Sequence, residues 1–124
     1  MSFLSSALAL LLILAIRMYG LQVPGSGIKT IEYPRETVAS IRGKVVRNGT
    51  EERLQGVKVQ LLDPGSRKVL KTITSESDGK FYLRTPNGLV RLRLYLLGYD
   101  IVEIDIKVDG KTRRELTIDL PIGT

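Results

Sequence analysis

The residues best suited to chemistry in this chain are few and mostly cationic. Arg91 and Arg93 stand two apart in a strictly alternating stretch, which puts both on one face of a strand. They close a segment, Arg42–Arg93, that holds 12 basic and 5 acidic residues, so this face could receive an anionic glycan or a lipid headgroup. Glu103 and Asp105 follow on the next alternating stretch and could instead neutralise the two arginines across neighbouring strands. Asn48-Gly49-Thr50 is an N-glycosylation sequon, and equally the chemistry of a turn leaving a strand. Glu76 and Asp78, with Ser75 and Ser77, bring oxygens of the kind Ca²⁺ takes, but the spaced ligand series of a calcium loop is missing and Asp78-Gly79 reads as a turn. No metal or cofactor is therefore expected. Nucleic acid is not expected either, because Phe81, Tyr82, Tyr95 and Tyr99 are the only aromatic residues the folded region could stack on bases.

The missing residue types exclude more than the charge does. In 124 residues with a formal charge of +6 there is no histidine, no cysteine and no tryptophan. Ser-His-Asp and Cys-His nucleophile systems cannot be assembled, nor can Cys/His zinc sites, histidine-ligated haem or thiolate-held iron–sulfur clusters. No disulfide can form, so stability outside the cytoplasm would have to come from packing. With no nucleophile–base pair or metal cluster in view, the expectation is a protein that is not an enzyme.

The elements that position these residues begin with a segment of different character. Phe3–Ile16 is a run of 14 uncharged residues, ended by Arg17, and Val23-Pro24-Gly25-Ser26-Gly27 reads as an exit. A helix of about 16 residues rises about 24 Å, short of a hydrocarbon core of about 30 Å. Residues 1–27 are thus read as a signal peptide, cleaved after Gly25 or Gly27, or as a retained membrane or assembly helix. Arg17, Lys29 and Arg35 all follow the apolar run, which for an uncleaved helix favours a domain on the cytoplasmic side. The expected location is nevertheless extracytoplasmic: secreted, at the cell surface or membrane-anchored.

Beyond a linker at residues 28–37 the pattern turns to period two. Strands are predicted over Val38–Arg47, Gly56–Asp63, Lys68–Ser75, Lys80–Arg84, Leu89–Leu97, Ile101–Val108 and Arg113–Leu120. Val90, Leu92, Leu94 and Leu96 alternate with Arg91, Arg93 and Tyr95; Val102, Ile104 and Ile106 alternate with Glu103, Asp105 and Lys107. A slip of one residue would bury those charges, so the register is firmly set. Asn48-Gly49, Asp63-Pro64-Gly65, Ser77-Asp78-Gly79 and Asp109-Gly110 supply the turns. The predicted fold is all-β, a seven-stranded Greek-key β-sandwich over residues 38–122, preceded by the N-terminal hydrophobic helix. Its edge strands could accept a partner's strand, and residues 28–40 are extended enough to pair with an edge of their own or of a neighbour.

At this level of detail the chain resembles the carboxypeptidase regulatory-like, or prealbumin-like, domains. The resemblance rests on Gly43-Lys44-Val45, then Gly56-Val57-Lys58-Val59-Gln60-Leu61, then Thr72-Ile73-Thr74-Ser75-Glu76-Ser77-Asp78-Gly79-Lys80-Phe81, and on the late Gly98-Tyr99. Ser75 departs from the aspartate often found there. The resemblance implies the sandwich fold and a structural or interaction module. Enzymes of related architecture need histidine: the transthyretin-like hydroxyisourate hydrolases for catalysis and the intradiol dioxygenases for iron. This chain has none.

Taken together, the sequence points to a non-catalytic exported or membrane-tethered module for cell-surface adhesion, scaffolding or carbohydrate or protein binding. The alternative is a structural subunit of an extracellular filament or envelope, packed through its hydrophobic N-terminus. Partners would be proteins or sister copies, met through edge strands or the N-terminal helix, with anionic glycan or a membrane also open.

Overall fold

The computed structural model describes residues 28–123. The segment read as signal peptide or membrane helix lies outside the described residues. Eight strands follow one another with no helix between them: β1 (Thr30–Val38), β2 (Ile41–Arg47), β3 (Lys58–Leu62), β4 (Val69–Thr74), β5 (Lys80–Leu83), β6 (Gly88–Tyr95), β7 (Ile101–Val108) and β8 (Leu116–Leu120). They form a sandwich of a five-stranded sheet, β1-β7-β6-β3-β4, and a three-stranded sheet, β5-β2-β8. Both sheets are mixed, because β1 runs parallel to β7 and β2 parallel to β8.

The alternation read from the sequence is the alternation observed. Val90, Leu92 and Leu94 of β6, Val102, Ile104, Ile106 and Val108 of β7, and Leu116, Ile118 and Leu120 of β8 are all buried in one core. Apolar surface removed from water on the facing sides of the two sheets holds the layers together. Phe81 of β5 is buried in the same core.

The strand count departs from expectation. Residues 28–37, read as a linker, contain most of β1, which pairs with β7 from Thr30↔Ile101 to Val38↔Val108. This edge pairing is made within the chain itself. Its period-two signal is broken in sequence because the register slips between Tyr33 and Glu36, where β1 carries one residue more than β7. Pro34 sits in that bulge, a place where an edge strand tolerates the missing N–H. Of the predicted strands only Ile101–Val108 keeps both its ends; Val38–Arg47 divides between the end of β1 and β2, Gly56–Asp63 shortens to β3, and Arg113–Glu115 precedes β8.

Two glycines of the motif series have a direct physical reason. A Cβ on Gly43 would lie 2.2 Å from the Leu116 carbonyl oxygen, so only glycine lets β2 approach β8 this closely. Gly79 has φ +77° in the turn before β5, and a Cβ there would also meet the Val45 carbonyl oxygen at 2.9 Å.

Candidate functional site

By the pairing of β6 with β7, Arg91 lies opposite Asp105 and Arg93 opposite Glu103, all on the outer face of the five-stranded sheet. Glu32 of β1 is level with Glu103 on the far side of β7. Arg67 reaches the same carboxylate from the β3–β4 loop, where it holds φ 61°, an uncommon conformation for a side-chain-bearing residue.

These six groups form one network. Glu103 is its centre and is only 2% exposed. Its Oε1 accepts from Arg91 Nε at 2.7 Å, and its Oε2 accepts from Arg67 Nη2 at 2.8 Å and Arg93 Nε at 3.1 Å. Arg91 also donates through Nη1 to Asp105 Oδ1 at 2.8 Å and through Nη2 to Glu32. Three guanidinium groups thus face three carboxylates, and the network carries no net charge. Burial pushes the Glu103 carboxyl toward a higher pKa, but the bonds from Arg67, Arg91 and Arg93 prevail and hold it down at about 2. Arg91 is raised above its ordinary value, first by Glu32 and then by Glu103. A depression of about 410 Å³ adjoins the network, lined also by Thr30, Gln60, Tyr95 and Ile101.

The sequence anticipated Arg91, Arg93, Glu103 and Asp105 as neighbours, and the strands bring them together. It did not anticipate Glu32 or Arg67. A faint signal for Glu32 exists in the alternation of Thr30 and Glu32 with Ile31 and Tyr33 ahead of Pro34. None exists for Arg67, because a loop residue has no period from which to read its direction.

The other candidate residues lie apart from this face. Asn48 is exposed in a turn with Gly49 at φ 78°, and the Thr50 hydroxyl donates to the Arg47 carbonyl at 2.9 Å. In the Ser75–Asp78 stretch the side-chain oxygens of Ser75 and Asp78 serve the backbone. Ser75 Oγ donates to the Leu54 carbonyl at 2.7 Å and accepts from Val57 N at 2.9 Å, and Asp78 Oδ1 accepts from Lys80 N at 3.1 Å. Ser75 is buried, so the departure from aspartate at this position keeps a short neutral side chain where two backbone groups need a partner.

A family model of the carboxypeptidase regulatory-like domain matches residues 40–121. The chain belongs to that family. No curated protein matches the sequence. The family is a regulatory-type, non-catalytic β-sandwich domain, and the matched span takes in seven strands, β2 to β8.

In this carboxypeptidase regulatory-like domain the two open sides of the sandwich differ. On one, the Tyr33 hydroxyl of β1 donates to the Asp119 carbonyl of β8 at 2.7 Å and ties the two sheets together. On the other, β4 and β5 are the edges of their sheets, and a cleft of about 600 Å³ opens between them. Ile73 of β4 lines it together with Phe81 and Tyr82 of β5 and Arg42 of β2. The Arg42 guanidinium stands 5.4 Å from the centre of the half-exposed Tyr82 ring. In the sequence Arg42 only opens the basic segment, and nothing there joins it with Ile73, Phe81 and Tyr82 in one cleft.

Proposed function

We propose that the chain is a non-catalytic, exported or membrane-tethered module that serves adhesion or scaffolding by holding a protein partner along the β4–β5 side. The supporting observation is the difference between its edges. β1 is blunted by Pro34 and a bulge and is surrounded by charge, as protected edges are. β4 has no proline, and although it bulges at Leu70 and carries Lys71 opposite the core residue Leu61, its Val69 and Leu70 are 42% and 55% exposed. An added strand would find free backbone groups on β4 and, beside them, a cleft with a tyrosine and an arginine, two residue types that anchor protein interfaces. The Arg91–Arg93 face contributes less to binding in this view, since its guanidinium groups are already engaged by Glu32, Glu103 and Asp105.

Photo-crosslinking in cells that produce the full chain tests this. A crosslinker at Leu70 is expected to trap a discrete partner, and one at Lys107, on the outer face of β7, is not. Equal yields from the two positions, or none from Leu70, would overturn the binding side. Digestion of the chain by protease added to intact cells is expected as well; protection until lysis would overturn export.

A further inference from the structure

Three exposed apolar residues stand on three separate segments joined at the end of the sandwich from which, in sequence, residues 1–27 lead away. Leu97 is 91% exposed at the tip of the β6–β7 turn, Ile122 is 49% exposed after β8, and Ile28 is 46% exposed ahead of β1. Single exposed leucines are ordinary. These three sit on segments stitched to one another. Gly123 N donates to the Gly98 carbonyl at 2.9 Å, Tyr99 bridges to Ile122, and Ile101 N donates to the Lys29 carbonyl at 2.9 Å. The Cβ that Gly123 lacks would lie 3.3 Å from Ile28. The tip is therefore built, with its apolar groups held outward by backbone bonds.

The same end also exposes Glu51 and Glu52 on the β2–β3 loop and Glu76 and Asp78 on the β4–β5 loop, but the three stitched segments themselves present a cation. Asp100, the carboxylate of the β6–β7 turn, is 3% exposed and accepts from Lys29 N at 3.3 Å, so it is turned away from solvent. Lys29 is exposed beside Ile28. In sequence the tip continues into residues 17–27 and then into the uncharged run Phe3–Ile16. At the opposite end the longest loop, residues 109–115, exposes Lys111, Arg113 and Arg114 and contains no large apolar residue.

We infer that this tip seats on a lipid bilayer, with Leu97, Ile122 and Ile28 entering the interfacial layer and Lys29 among the headgroups, while the 109–115 end points away. The inference rests on the membrane-tethered form of the proposed function. A span of 11 residues between Ile16 and Ile28 can extend about 36–40 Å, so a tether alone would let the domain hang free; the apolar tip is what draws it down. Bilayer lipid is favoured over a second copy because the tip is continuous with the apolar run and carries a cation beside it.

The absence of tryptophan makes the test clean. Leu97→Trp and Arg113→Trp variants of the full chain are reconstituted with vesicles of equal parts phosphatidylcholine and phosphatidylglycerol, and vesicle flotation is scored first. The expected result is flotation, with Leu97→Trp emission shifted to shorter wavelength and quenched by lipids brominated near the headgroup end of their chains, and Arg113→Trp unchanged. Flotation with Leu97→Trp still in an aqueous environment would overturn the seating and leave the tether standing. A shift without bromine quenching would overturn lipid as the occupant, in favour of the N-terminal run or a second copy. Failure to float would overturn the tether and the seating with it.

Discussion

The outer face of the five-stranded sheet and the apolar tip at the start of β1 make opposite use of their side chains. On the face, six charged groups from β1, β6, β7 and the β3–β4 loop satisfy one another around a buried glutamate. At the tip, backbone bonds join three segments while Leu97 stands almost fully exposed and Ile122 and Ile28 about half exposed. Charge density is thus a poor guide to a binding surface in this protein. A concentrated charge can be answered from a neighbouring strand, whereas an exposed apolar side chain finds no such internal answer once the core is full.

The contrast can be broken by substitution. The largest effect is expected from Glu103→Ala, which leaves three arginines around an empty site and should cost about 3–5 kcal/mol, read by denaturant titration. A loss no greater than that of an exposed salt bridge would mean that the network is ornamental and the face is free for an anion after all. Acid provides a second probe of the same centre. Glu103 and Asp109 are both held at about 2, below their ordinary values of 4.5 and 3.8: Glu103 by its arginines against burial, Asp109 by the hydroxyl and backbone N–H of Thr112 and the N–H of Lys111. Because the folded state depresses them, their contribution is fully present above about pH 4.5 and lost as the pH falls toward 2. Melting followed across that window should show the loss, and Glu103→Gln should reduce it to the share of Asp109.

Smaller effects sharpen the comparison. Arg93→Ala removes one charge-assisted bond from a half-exposed position and should cost about 1 kcal/mol, less than Arg91→Ala, which removes three. Leu97→Ser should change stability by no more than about 0.5 kcal/mol, since that side chain touches water and little else. A melting shift for Leu97→Ser as large as that for Arg93→Ala would show that the tip belongs to the core and would erase the distinction.

How far these features can be read from the residues depends on distance along the chain. The β6 and β7 alternations fix Arg91, Arg93, Glu103 and Asp105 on one face, and a short turn through Gly98 makes their pairing a local matter. Glu32 escapes, because its strand pairs in parallel with one about 70 residues later and no turn announces it. Arg67 escapes because a single residue at φ 61° aims it.

By itself, then, the sequence determined the all-β character, the inward sets of β6 and β7, the glycine turns and the family. Period-two burial and turn chemistry are local, and a register error would bury charge. Only the tertiary structure decided that residues 30–38 complete the larger sheet, that Glu103 is buried on an outer face, that one side of the sandwich is tied and the other open, and that Leu97, Ile122 and Ile28 share one tip. Each of those depends on which distant segments are brought side by side, and packing settles that choice where periodicity is silent.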